Sequence, residues 1–122
     1  KLSELAVGIG PFVVGPAVER KLGVSAMSQL AIDATEWRPA QWAYERGLYA
    51  SVHENVEALD EAVHALAGRL AASNPGAMAE MKRTFWRGTE DWDTLLADRA
   101  AISGRLVLSD FTRNAIARFK GG

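Results

Sequence analysis

The chain has 122 residues, 48% of them apolar, which suits one modest core and at most one domain. Its formal charge of −1 supplies no basic field, which argues against a nucleic-acid partner. The absence of cysteine excludes a disulfide framework, a thiolate nucleophile and a cysteine-based metal site, and agrees with a cytoplasmic home.

The first segment, Ser3 to Pro16, sets one carboxylate, Glu4, before an apolar run broken by Gly8, Gly10, Gly15, Pro11 and Pro16. Glycines permit positive φ or close backbone approach, and prolines fix φ and remove a donor, so this punctuation predicts a shaped loop feeding a helix. Pro16 suits the first turn of a helix over residues 17 to 22, which Gly23 ends. Residues 24 to 32 resume helical spacing, with Met27, Leu30 and Ala31 on one side, and Asp33 to Glu36 reads as a turn. A short helix follows with Pro39 in its first turn and Gly47 as its cap. Leu48 to Val52 alternates apolar positions and is expected to be a strand.

The clearest periodicity lies between Asn55 and Ser73, where Val56, Leu59, Val63, Leu66 and Leu70 form one apolar stripe behind an asparagine cap. Asn74 and Pro75 open the next helix, which carries Met78, Met81 and Phe85 towards a partner. A further helix is expected from Asp91 to Ser103 with Trp92, Leu95, Leu96 and Ile102 along its buried edge. Ser109 or Asp110 caps a last helix bearing Ile116 and Phe119. No apolar run approaches the roughly 20 residues needed to span a bilayer, so no membrane partner is expected. His53 and His64 have no third ligand in a metal-site spacing, so no metal is expected either. The four tryptophans read as core or interface anchors.

Glu4-Leu5-Ala6-Val7-Gly8-Ile9-Gly10-Pro11, followed by Val18-Glu19-Arg20-Lys21-Leu22-Gly23, resembles the motif of the enoyl-CoA hydratase/isomerase (crotonase) superfamily. That motif is a glutamate, three apolar residues, glycine, two residues and proline, then a basic-ended helix closed by glycine. The helix ending in Gly47-Leu48 and the Asn74-Pro75 helix fit the later part of the same pattern. Two departures are Ser3, where many members have proline, and the bulky Phe12-Val13-Val14, where hydratases continue with small residues; the acyl-chain preference stays open.

The resemblance implies a predominantly α chain with a few short strands, namely the C-terminal half of an α/β crotonase (ClpP-like spiral) fold plus a helical trimerisation region. Residues 1–52 would end the spiral core with its active-site loop, and residues 53–122 would form the helical oligomerisation region. It implies an acyl-CoA lyase of fatty acid metabolism, with Glu4 as one of two acid/base residues and Val7, Ile9, Pro11 and Phe12 around the substrate. Phe119 and Lys120 would reach the CoA or acyl pocket of a neighbouring subunit in a homotrimer or hexamer. Coenzyme A enters as part of the thioester substrate, and no separate cofactor is implied. The oxyanion-hole amides, the first glutamate and most of the CoA-binding loop would come from an upstream segment, and a chain starting at Lys1 without methionine is expected to be processed or incomplete. An enoyl-CoA isomerase is the near alternative. A non-catalytic helical assembly module is the alternative of another class.

Overall fold

The computed structural model describes residues 1–120, the last two by backbone alone. It is mostly helical: a 3-10 turn at Glu4–Val7 precedes α1 (Gly15–Ile32), α2 (Ala40–Glu45), α3 (Val56–Ala71), α4 (Pro75–Phe85), α5 (Trp92–Val107) and α6 (Asp110–Lys120). The chain divides into two compact units, Lys1–Ala50 with Asp93–Gly122, and Ser51–Trp92.

In the first unit, α1 is two helices joined through Gly23, whose φ of 72° and ψ of 164° interrupt the ladder. The break falls where the sequence changes from the Pro16 helix to the Met27 helix. Past it, Ala26, Met27 and Leu30 are buried, and Ala34 and Ala43 complete that side of the core. The turn after α1 closes through the Glu36 amide, which donates to the Asp33 carbonyl at 3.2 Å. Asp33 in turn pairs with Arg38. The buried apolar side chains are mostly alanines, with Met27 and Leu30 the larger exceptions.

The expected strand at Leu48–Val52 does not form, and no strand occurs among the described residues. The amides of Leu48 and Tyr49 both donate to the Ala43 carbonyl, at 2.9 and 3.4 Å, so they close α2 instead of entering a ladder. A strand also needs a neighbour for its backbone groups, and apolar alternation cannot supply one. Gly47, at φ 78°, makes the reversal that turns the chain back on the helix end.

The second unit follows the sequence closely at its helix starts. The Asn55 side chain accepts from the Ala58 amide at 2.8 Å, and Asn74 accepts from the Ala77 amide at 3.1 Å. Pro75 occupies the first helical turn of α4, where its missing donor is harmless. Trp86 and Trp92 meet edge to face with ring centroids 5.8 Å apart, closing the unit's C-terminal end. No residue from 51 to 92 is buried, so the stripe on α3 stands in the open.

Candidate functional site

Glu4 begins the 3-10 turn, and local hydrogen bonds hold it in place. The Gly8 amide donates to the Leu5 carbonyl and the Ile9 amide to the Glu4 carbonyl, each at 3.0 Å. Gly8 has φ 83°, the left-handed cap that returns the chain after one turn. A carboxylate anchored this way has its backbone fixed at both ends of a four-residue element. Glu4 is half-buried, and its Oε2 atom is buried with no hydrogen-bond partner in the described structure. Buried acceptors are nearly always satisfied in folded proteins, and an exception calls for an account in strain, a bound water or ion, or a catalytic role.

The turn packs against α1 and against α6. Ser109 caps α6: its hydroxyl accepts from the Thr112 amide at 3.3 Å and donates to Thr112 Oγ1 at 3.2 Å. Thr112 is completely buried, at 0% exposure, and Ala115 one turn later is buried beside it. Gly8 lies directly over this end of α6. A Cβ at position 8 would stand 2.5 Å from Phe111 Cδ1 and 2.7 Å from Thr112 Oγ1, so only glycine fits. A groove of about 340 Å³ runs along the same contact, lined by Ala6, Phe111, Ala115 and Arg118.

Among the residues expected around the substrate, Val7, Ile9, Pro11 and Phe12 are all half-buried on or just after the turn. Phe12 folds its ring back over Gly10, where an added Cβ would come within 2.7 Å of it. The groove next to Glu4's turn is walled by α6 and Ala6, not by these four residues. The side chains expected at the neighbouring-subunit pocket, Phe119 and Lys120, lie outside the described residues.

Phe111, Thr112, Ala115 and Arg118 had no place in the expected site. Their spacing of three and four marks one face of α6, and the serine cap that starts it is legible in the sequence. Which face meets the Glu4 turn is a long-range fact that local periodicity does not carry.

Other titratable groups have mundane partners. His64 Nδ1 donates to the Asp60 carbonyl at 2.7 Å, and His53 Nε2 shares a 2.8 Å hydrogen bond with Ser51 Oγ. Among the described residues, no group of three histidine, aspartate or glutamate side chains could hold a metal ion. None of their helices is long and apolar enough to cross a membrane. Comparison with known proteins found no matching family model and no matching curated protein.

Proposed function

We propose that this chain carries one acid/base half of a 2-enoyl-CoA hydratase, the lyase reaction that the resemblance of its Glu4 segment to the crotonase motif implies. The observation that favours this reading is the Glu4 carboxylate itself. It stands on a fixed turn with one oxygen buried and unpartnered, and Ala6 of the same turn lines a groove with a mainly apolar wall. A carboxylate on a fixed turn with no internal partner can act as an acid/base group once the completed site brings a water to it.

In this reading Glu4 and a second carboxyl group hold one water between them. One takes its proton as the oxygen bonds to the β-carbon of the thioester-conjugated double bond. The other delivers a proton to the α-carbon, so water adds across the bond with nothing left over. The enolate-like thioester oxygen needs backbone donors, and losing one such donor costs about a hundred- to a thousandfold in rate. Those donors, the second carboxylate and the cradle for the CoA phosphates are assigned to an upstream segment, since the glycines after Glu4 belong to its own loop. Phe119 and Lys120 are assigned to the CoA side of a neighbouring subunit. Positional isomerisation of the double bond is the near alternative, because the segment facing Glu4 decides where protons go.

The test compares two preparations. Residues 1 to 122 alone should hydrate crotonyl-CoA no faster than buffer, whereas the same chain completed by a crotonase-type upstream segment should turn over. Turnover by the 122-residue chain alone would move the active site onto residues described above as structural. No turnover by either preparation would remove the hydratase reading.

A second reading, a non-catalytic helical assembly module, draws on a different observation: the whole apolar stripe of α3 is exposed, from Val56 to Leu70. Assembly without turnover in the completed protein would favour it. Both readings predict self-association into trimers or pairs of trimers, through surfaces of this kind.

A further inference from the structure

Thr112 is the one polar side chain buried completely among the described residues, and it lies under the turn that carries Glu4. Its hydroxyl is fixed from below, because Ser109 Oγ donates to it at 3.2 Å while accepting from the Thr112 amide. From above, Gly8 presses so closely that an added Cβ would come within 2.7 Å of Thr112 Oγ1. Gly8 is itself the cap of the 3-10 turn, and the adjoining Ile9 amide holds the Glu4 carbonyl at 3.0 Å. One unbroken chain of contacts therefore runs from the first turn of α6, through Thr112 and Gly8, to the backbone of Glu4. The segment between them in sequence spans α1 to α5, so no local rule joins these groups.

We propose that Thr112 is a positioning residue for Glu4: through Gly8 it fixes the turn on which the carboxylate stands, and α6 thereby sets the geometry of the acid/base group. This rests on the hydratase reading for its kinetic consequence but not for the contact itself. A hydroxyl suits the position for two reasons. It satisfies Ser109, and its small polar tip fits beneath a glycine where a branched apolar pair of methyls would press on the backbone. A carboxylate displaced by about an ångström from its reacting water loses on the order of a hundredfold in rate with substrate binding intact.

The experiment uses Thr112→Val, which replaces the hydroxyl with a methyl group, and Thr112→Ser, which keeps it. Amide exchange is followed at Ala6, Gly8 and Ile9 in the 122-residue chain, with the α3 amides as an internal reference. Turnover of crotonyl-CoA is followed in the completed protein that tests the hydratase reading. The expected result is faster exchange at the three turn amides in Thr112→Val, with α3 unchanged. In the same variant kcat should drop about ten- to a hundredfold while KM stays within about twofold, and Thr112→Ser should recover most of the loss. Unchanged exchange at the turn in Thr112→Val overturns the proposal, as does faster exchange with kcat unaltered. Should Thr112→Val fail to fold, Thr112→Ser decides: wild-type kcat and exchange support the hydroxyl's role, and a loss as large as that expected for valine overturns it. If the completed wild-type protein hydrates nothing, the hydratase reading and the kinetic role fall together, and the exchange data alone report whether α6 restrains the turn.

Discussion

Glu4 is the residue on which the proposed chemistry turns, and its environment separates two kinds of substitution. Glu4→Gln keeps the size of the side chain and leaves the turn's backbone hydrogen bonds in place, since these come from Gly8 and Ile9. It removes proton transfer, so in the completed enzyme kcat for crotonyl-CoA should fall at least about a hundredfold. The melting temperature should move little; near-normal turnover would take Glu4 out of the mechanism. Gly8→Ala should do the reverse. At φ 83° an alanine is strained, and its Cβ would overlap Phe111 and Thr112, two independent penalties at one position. Urea denaturation should show a loss of at least about 2 kcal/mol, the sum of left-handed strain and overpacking. A loss below half a kilocalorie would mean that the turn and α6 separate easily.

At the scale of elements, Gly23 offers a cleaner case because sterics and backbone strain come apart there. An added Cβ at Gly23 would meet nothing within 4 Å, yet the residue sits at φ 72° and ψ 164°, a region open essentially to glycine alone. Gly23→Ala should therefore cost about 1–3 kcal/mol through the backbone only. Circular dichroism should show helix content kept or raised, since the straight continuation of α1 becomes the relaxed form; an unchanged denaturation midpoint would show that the kink has no part in stability. The two asparagine caps both act in the second unit. Each satisfies an amide that the first turn of its helix leaves over, and each stands at the boundary that its sequence position marks.

The second unit raises the question that belongs to the molecule as a whole. Val63 and Leu66 on α3, and Met81 and Phe85 on α4, are each about half or more exposed, with Phe85 at 63%. Apolar side chains repeated at helical spacing and left in water are the mark of a surface meant to be covered. Sedimentation at micromolar concentration should show an assembly of three or more chains. The double variant Val63→Glu, Leu66→Glu should shift it to a smaller species while keeping helix content. A stable monomer of the unaltered chain would refute that expectation, and a variant that sediments like the parent would place the contact elsewhere.

Sequence alone determined the parts of this protein that depend on a few neighbouring residues. The Asn55 and Asn74 caps, Pro75, the break at Gly23 and the apolar stripe of α3 were all legible, because each is settled within one or two helical turns. The carboxylate on a shaped loop was legible for the same reason, although its form as a 3-10 turn with a left-handed Gly8 cap was not. Leu48–Val52 shows where local pattern fails. Its alternation is that of a strand, but the Ala43 carbonyl takes its amides and no strand pairs with it among the described residues. What tertiary structure alone decided is the pairing of Gly8 with Thr112. The glycine's left-handed turn and the threonine's place behind a serine cap are both local features, yet their contact spans 104 positions of the chain. It arises because α6 has one small-sided face, at Thr112 and Ala115, that lets the Glu4 turn approach closely enough to be held.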